Sequence, residues 1–123
     1  KLLTWERGSD MLELITAIIK PHKLDEVKEA LLANGVEGLT VTEVRGFGRQ
    51  RGKTETFRGS EYQIDFIPKV KIEVVVPAAN VDAIVAVIAE AAKTGKIGDG
   101  KIWTFSVDKL LRVRTGEAGL EAI

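Results

Sequence analysis

Four stretches of the chain show the short apolar or alternating patterns that predict β-strands. The first, Leu12–Ile19, is rich in isoleucine, and a Lys-Pro pair ends it because the residue before proline avoids helical geometry. Leu39–Phe47 and Ile102–Leu110 alternate apolar with polar residues. Tyr62–Val76 is the longest alternating stretch, and Pro68 predicts a bulge or bend within it.

Two further segments carry apolar residues at helical spacing. One lies between Pro21 and Gly35, and its first turn holds two carboxylates, which the helix dipole favours. The other follows Asn80, a typical N-cap residue, and ends near Gly95. The apolar stripes are Leu24, Val27, Leu31 and Leu32 in the first helix and Val81, Ile84, Val85, Ile88 and Ala92 in the second.

The order of these elements is strand, helix, strand, loop, strand, helix, strand. It predicts an α+β, ferredoxin-like βαββαβ sandwich with a long loop between strands 2 and 3. At 123 residues and 13.4 kDa the chain fits one domain, which we assign to residues 11–123. Residues 1–10 precede Met11 and are expected to be a disordered native extension or tag.

The loop from Gly48 to Glu61 has Phe57 as its only apolar side chain. Little burial can therefore offset the conformational entropy that ordering this loop would cost. It is also longer than the usual connection of about 4 to 6 residues, and such loops are usually functional or disordered. Tyr62, which follows it, is either a core strand residue or a phenol accessible to a modifying enzyme.

Charge and composition exclude several classes of function. Eighteen Lys and Arg residues balance eighteen Asp and Glu residues, which argues against a general nucleic-acid binder. The absence of cysteine excludes a disulfide framework and a thiolate zinc site, and His22 alone forms neither a histidine metal cluster nor a catalytic triad. No apolar run reaches the roughly 18 residues of a membrane span and the N-terminus lacks a signal-peptide pattern, so we expect a cytoplasmic protein.

A glycine-rich segment, Gly95–Lys101, is the first candidate for ligand chemistry. It matches the G-x-x-x-x-G-K part of a phosphate-binding loop, but Ile102 stands where Ser or Thr would reach magnesium. A helix is predicted before it and a strand after it, which reverses the context of that loop. Its glycines and two lysines leave two alternatives open, an unconventional phosphate cradle and a plain helix-to-strand connection.

Two sets of donors lie elsewhere. Gly46–Gly52 approaches a dinucleotide fingerprint, but its third glycine comes one residue late and no helix follows. Arg49 and Gln50 are therefore either ligand donors or part of a hinge. Arg112 and Arg114 would share a face of an extended chain, which suits an oligophosphate or a solvated edge.

Six segments, taken together and in order, resemble the PII signal-transduction proteins of nitrogen regulation. They are Ile18–Pro21, Val41–Gln50, Arg58–Tyr62, Pro68–Lys71, Thr94–Ile102 and Arg112–Glu117. The resemblance runs from about Leu14 to Glu117. It departs from the family at the N-terminal extension and at His22, where many relatives carry an aromatic residue.

The resemblance implies a homotrimer that binds ATP or ADP in the clefts between neighbouring subunits. Residues 48–61 then correspond to a mobile T-loop that docks into target proteins, residues 93–101 to a phosphate-binding B-loop and residues 112–123 to a C-terminal loop. The positions that match the nucleotide site are Thr40, Glu73 and Val75 near adenine, Gly48, Arg49, Gln50, Gly98, Asp99, Gly100 and Lys101 near the phosphates, and Arg112 and Arg114 from the adjacent subunit.

In this family 2-oxoglutarate binds only together with Mg-ATP. Gln50 matches the ligand on the side of the Mg²⁺ ion, and Lys20 and Lys69 match the cations near the carboxylates of 2-oxoglutarate. Tyr62 matches the tyrosine that is nucleotidylated in many bacterial members. The implied partners are an ammonium transporter, a modifying nucleotidyltransferase and other nitrogen-metabolism targets, with membrane contact only through the transporter.

Two other classes of function remain as alternatives. A small nucleotide-using phosphotransferase on the same fold would need a base near the glycine turn, where Asp99 is the only carboxylate. An RNA-binding sheet would need stacking aromatics on its central strands. The long strand instead places Lys71 and Glu73 on one face and Ile72 and Val74 on the other. We therefore expect a regulator that is not an enzyme and binds no nucleic acid.

Overall fold

The structure, a computed structural model, describes residues 11–48, 56–57, 61–62 and 66–123. Single turns of 3-10 helix lead into both α-helices, and another lies at Gly119–Ala122. The strands are β1 Leu12–Ile19, β2 Thr40–Gly46, β3 Thr56–Phe57, β4 Glu61–Tyr62, β5 Ile67–Pro77 and β6 Lys101–Val107, and the helices are α1 Leu24–Ala33 and α2 Val81–Ala92.

The four long strands form one sheet in the order β2-β5-β1-β6, and every pairing in it is antiparallel. β1 lies in the interior and pairs with β5 from Leu12↔Pro77 to Ile19↔Val70. Each α-helix connects two strands that are not neighbours in the sheet. This is the ferredoxin-like βαββαβ arrangement that the sequence predicts.

Two strand boundaries differ from the prediction by more than one residue. β5 begins at Ile67 rather than at Tyr62, which lies instead in the small β3–β4 ribbon within and beside the predicted loop. β6 ends at Val107, short of the predicted Leu110. Apolar and polar residues continue to alternate beyond Val107. However, Val107 pairs with Leu12, the first residue of β1, so β1 offers no partner for the residues that follow.

The bulge predicted at Pro68 is absent. The register between β2 and β5 runs without interruption from Val44↔Lys69 to Arg45↔Pro68. The pairing of β5 with β1 ends at Val70, so Pro68 has a neighbouring strand on the β2 side only. Proline lacks a backbone N–H, and a position with one neighbouring strand tolerates that loss.

Both helices pack on one face of the sheet, and the core lies between them and the strands. Val27 and Leu31 of α1 and Ile88 of α2 are fully buried in one cluster with Ile15 and Ile72. Alternate residues of a strand point to opposite faces, so every second residue of β5 enters this layer. The apolar stripes predicted for the two helices therefore supply the core, except for Leu32 of α1, which is 54% exposed.

The opposite face of the sheet is mixed in character. On β6, Trp103 is 41% exposed and Phe105 is 63% exposed. Among the residues that the structure describes, no helix covers this face. The half-buried residues that β5 contributes to it are Lys69, Lys71, Glu73 and Val75.

The connection between α2 and β6 runs directly against the end of β1. Gly100 has a φ of +105°, and a Cβ atom there would overlap the carbonyl oxygen of Ile18. Both the backbone conformation and the available space therefore require glycine. Gly95 also has a positive φ, of +85°, but its Cβ would meet no atom within 4 Å.

Leu31 and Leu32 are neighbours on α1 that test the burial pattern, since Leu31 is 0% and Leu32 is 54% exposed. Leu31→Ala is expected to lower the free energy of unfolding by about 2 to 5 kcal/mol, because it leaves a cavity in the core. Leu32→Ala is expected to cost less than about 1 kcal/mol. Urea denaturation measures both values, and equal losses would contradict the helix orientation.

Gly100→Ala and Gly95→Ala separate steric exclusion from backbone strain. Gly95→Ala is expected to cost about 1 to 2 kcal/mol, the usual penalty for the left-handed conformation. Gly100→Ala is expected to cost more than this, because the turn must also move away from β1. The comparison is again made by urea denaturation, and equal costs would mean that the contact with Ile18 is not tight.

Candidate functional site

The glycine-rich turn connects α2 to β6, and this order of the flanking elements is the one that the sequence predicts. A helix precedes it and a strand follows it, so it is not a P-loop of the usual kind. Gly95, Gly98 and Gly100 all have positive φ values, of 85°, 94° and 105°. Successive residues in such conformations expose backbone N–H groups, which can form a concave site for an anion.

Asp99 organises this turn from within. Its Oδ2 accepts hydrogen bonds from the backbone N–H groups of Thr94 and Gly95, each at 2.8 Å, and its Oδ1 accepts one from the Thr94 hydroxyl. The Thr94 hydroxyl, the two N–H groups and the Lys20 ammonium hold the pKa of Asp99 well below its usual range, despite an opposing contribution from desolvation. Asp99 is therefore ionised at neutral pH and poorly suited to act as a general base.

Two lysines from other parts of the chain reach the same turn. The Lys20 Nζ atom, just beyond β1, lies 3.2 Å from Asp99 Oδ1 and 3.1 Å from Thr94 Oγ1. Lys69 on β5 donates a hydrogen bond to the backbone carbonyl of Gly98. Burial lowers the pKa of Lys69 and the nearby Lys20 lowers it further, while Asp99 acts in the opposite direction. Lys20 and Lys69, which the resemblance assigns to the carboxylates of 2-oxoglutarate, therefore both reach this turn, and each already has a partner within the chain.

A cleft of about 580 Å³ opens beside the turn. It contains Gly48, at the point where the predicted T-loop leaves β2, together with Lys69 and the turn residues 98–101. The apolar part of its wall is formed by Phe47, Ile97 and Trp103. The cleft thus combines apolar surface with N–H donors and cations, a composition typical of small-molecule sites.

An aromatic pair stands at the base of the predicted T-loop. Phe47 follows β2 and Phe66 precedes β5, and their ring centroids are 6.3 Å apart at an interplanar angle of 61°. This edge-to-face arrangement is favourable for aromatic rings. The pair therefore joins the two strands at the point where the chain leaves the sheet.

The C-terminal arginines do not share an extended face, so that expectation is wrong. The chain turns between Arg112 and Glu117, with the Gly116 N–H bonded to the Arg112 carbonyl and the Arg112 N–H bonded to the Glu117 carbonyl, each at 2.8 Å. The Arg112 side chain lies 3.2 Å from Glu117 Oε1 and donates to the Ile123 carbonyl at 2.6 Å. Arg114 is exposed. Neither arginine lines the cleft in its own chain.

The remaining predicted positions lie in several places. Thr40 and Glu73 are register partners on β2 and β5, and Val75 follows on the same face of β5. Arg49 and Gln50 lie outside the described residues. The backbone of Tyr62 lies in β4, and His22 is exposed, as the sequence indicates.

Thr94 is the residue that sequence reasoning did not select as part of the site. Its side chain contacts Asp99, Lys20 and the Lys96 backbone N–H, the last at 3.1 Å. The sequence feature that could have indicated its role is the spacing of Thr94 and Asp99, which lie five residues apart on either side of a glycine-rich segment. Such short polar side chains commonly bond to nearby backbone groups in place of regular structure.

Two properties of the described residues bear on ligands and location. They include no group of three or more His, Cys, Asp or Glu side chains placed to hold a metal ion. None of the helices among these residues has both the length and the apolar character needed to cross a membrane.

The comparisons with known proteins agree with one another. The family described as nitrogen regulatory protein P-II matches residues 12–117. The nitrogen regulatory protein P-II of Rhizobium meliloti is 58% identical, and P-II 1 of Escherichia coli K12 is 59% identical, each over 112 residues that cover 91% of this chain and 100% of the relative. A crystal structure of Arabidopsis thaliana PII bound to citrate is 38% identical, with a TM-score of 0.77, and the match covers 94% of this chain and 100% of that one. These relatives are named as PII or regulatory proteins rather than as enzymes, and the chain belongs to the nitrogen regulatory protein P-II family.

Proposed function

We propose that this protein senses cellular nitrogen, carbon and energy status by binding ATP or ADP and, together with Mg-ATP, 2-oxoglutarate. The observation that carries the proposal is the cleft beside the glycine turn. Anion-binding groups, Lys69 and residues 98–101, lie in the same cleft as Gly48, where the predicted T-loop begins. A ligand in this cleft would touch the base of the loop and thereby influence its conformation.

The phosphates of the nucleotide are proposed to lie at the glycine turn. Gly98 and Gly100 offer backbone N–H groups, and the exposed Lys101 offers a cation. Arg112 and Arg114 do not line the cleft of their own chain, so we assign them to the cleft of a neighbouring copy. Arg112 must then exchange its contact with Glu117 for a phosphate oxygen.

The second effector, 2-oxoglutarate, is proposed to bind beside the phosphates. Lys69 and Lys20 lie at one edge of the turn and suit the two carboxylates of this acid. Because the described residues offer no carboxylate or histidine cluster, Mg²⁺ would be held by ligand oxygens and by Gln50. The ion would neutralise phosphate charge and link the two effectors.

The proposed assembly is a homotrimer. The mixed sheet face with half-buried Lys71, Glu73 and Val75 and exposed Trp103 and Phe105 is the surface that an interface would cover. In the trimer, Thr40, Glu73 and Val75 would border the adenine.

The sensor is proposed to act on its target proteins through residues 48–61. These would dock into an ammonium transporter, a modifying nucleotidyltransferase or other nitrogen-metabolism targets. Tyr62, at the end of this segment, would be the site of nucleotidylation, because a bulky anion there would obstruct docking. The phosphotransferase alternative gains no support, because the hydrogen-bonded, ionised Asp99 is the only carboxylate on the turn.

The assembly is tested by light scattering on the purified protein, with an expected mass of about three times 13.4 kDa. Phe105→Asp is expected to lower this mass, since burying an unpaired carboxylate at an interface is unfavourable. Leu32→Asp, at an exposed position of α1, is the matched control and should leave the mass unchanged. A monomeric wild-type protein would contradict the trimer.

Calorimetric titration tests the coupling of the effectors. 2-Oxoglutarate is expected to bind with Mg-ATP, and to bind little or not at all with Mg-ADP or with ATP plus a chelator. Thermodynamic linkage requires 2-oxoglutarate to tighten Mg-ATP by the same factor, about 5-fold to 150-fold in coupled systems. Lys69→Ala should weaken 2-oxoglutarate by about tenfold or more, whereas Lys28→Ala, at an exposed position of α1, should not. Equal 2-oxoglutarate affinity under all three nucleotide conditions would refute the proposed function.

A further inference from the structure

The glycine turn is held in shape mainly by side chains. Within residues 94–100, only Ile97 and Gly98 lie in a backbone turn, and no backbone–backbone hydrogen bond there has good geometry. Three glycines in this segment have positive φ and gain no rigidity from side chains of their own. The side-chain contacts that fix the N–H groups of the turn are those of Thr94 and Asp99, together with the hydrogen bond from Lys69 to the Gly98 carbonyl.

Thr94 uses the full hydrogen-bonding capacity of its hydroxyl. The hydroxyl donates to Asp99 Oδ1 and accepts from Lys20 Nζ and from the Lys96 N–H, each at 3.1 Å. A hydroxyl has one donor and two acceptor sites, so none is left for a ligand. Thr94 therefore acts on the turn and not on a bound molecule.

Asp99 closes the turn from the other end. Its carboxylate receives the Thr94 N–H, the Gly95 N–H, the Thr94 hydroxyl and the Lys20 ammonium. Three of these donors come from Thr94 and Gly95 at the start of the turn, and one comes from Lys20 at the end of β1. The carboxylate thereby fixes the turn to itself and to the sheet, and its charge is balanced by Lys20.

We infer that Thr94, Asp99 and Lys20 form a clamp that holds residues 94–100 in the shape that binds phosphate, with Thr94 as a positioning residue. This inference rests on the proposed function, since phosphate is the ligand of the turn. It changes the roles suggested by the resemblance. Asp99 holds the turn instead of contacting the nucleotide, and Lys20 belongs to the clamp before any ligand binds, so Lys69 is the first cation available to an incoming anion. Lys20 must exchange part of its contact with Asp99 to reach a carboxylate of 2-oxoglutarate.

The charges around the turn agree with these separate roles for Lys20 and Lys69. A carboxylate beside a phosphate would repel it unless the carboxylate were already paired. Lys20 provides that pairing at 3.2 Å. Lys69 donates a hydrogen bond to the neutral carbonyl of Gly98, so its positive charge is available to a ligand.

The test compares Thr94→Val, which removes the hydroxyl and keeps the shape, with Thr94→Ser, which keeps the hydroxyl. Thr94→Val is expected to weaken ADP by about tenfold or more, because several hydrogen bonds that order the turn are lost. Thr94→Ser should restore most of the affinity. Thr104→Val, a matched substitution at an exposed position of β6, is the control and should bind ADP as the wild type does.

A double-mutant cycle separates the clamp from direct ligand contacts. If Thr94 and Asp99 act as one unit, Thr94→Val combined with Asp99→Asn should weaken ADP no more than the worse single variant. Additive losses would mean that the two side chains act separately and would overturn the clamp. Should Thr94→Val fail to fold, Asp99→Asn carries the test, and ADP affinity equal to that of the wild type would overturn the inference.

Amide hydrogen exchange of the nucleotide-free protein gives a readout that does not depend on binding. Thr94→Val is expected to speed exchange at Gly95 and Lys96, whose N–H groups are hydrogen-bonded to Asp99 and Thr94, while leaving β1 and α2 unchanged. Unchanged exchange in the turn would overturn the clamp even if the proposed function holds. A wild-type protein that binds neither ATP nor ADP would instead overturn the proposed function and the role of the clamp in it.

Discussion

The ion pair between Lys20 and Asp99, with Thr94 between them, is the interaction on which the rest of the site depends. It connects the end of a central strand to a turn that is held mainly by side-chain hydrogen bonds. The positions of the exposed N–H groups, of Lys101 and of the cleft all follow from the position of that turn. Both side chains are partly accessible to solvent, which weakens the attraction between their charges. The importance of this ion pair therefore lies in the geometry that it fixes.

The close approach of Gly100 to Ile18 adds a steric constraint to this electrostatic one. A side chain at Gly100 would displace the turn from the sheet, and the contacts of Lys20 and Lys69 with the turn would be lost together. The turn is thus fixed by hydrogen bonds at Asp99 and by contact at Gly100. A binding site on a loop gains affinity when the loop is ordered before the ligand arrives, because less entropy is lost on binding.

The two faces of the sheet have different roles. One is covered by both helices and contains only apolar strand residues in its core, while the other places charged and aromatic side chains in alternation along β5 and β6. The cleft opens at the end of the sheet where β2 and β5 continue towards the predicted T-loop and where β6 begins. A rigid sheet therefore presents, at one end, both the anion-binding turn and the base of the loop.

The periodicity of the sequence determined most of the fold. Strand β1 was predicted with its exact bounds, and the stripes of α1 and α2 were correct apart from Leu32, because burial on one face imposes its period on the residues. The glycine turn, the lysines within it and its reversed context could also be found, since a glycine-rich segment and a helix-to-strand connection are local properties. The resemblance to PII proteins likewise used only ordered local motifs, and the comparisons support it at the level of the family.

The tertiary structure alone decided where strands stop and which polar groups meet. β6 ends at Val107 because β1 begins at its partner Leu12. Pro68 stays in register because the pairing of β1 with β5 ends at Val70, which leaves Pro68 paired with β2 only. Neither limit can be deduced from a local sequence pattern. The turn at Arg112 depends on bonds to Glu117 and Ile123, so the alternation of the two arginines was misleading. Lys20 lies 74 positions before Thr94, yet its ammonium contacts the Thr94 hydroxyl. A contact over that separation is determined by how the sheet and the helices pack, and for this reason Thr94 was missed by sequence reasoning.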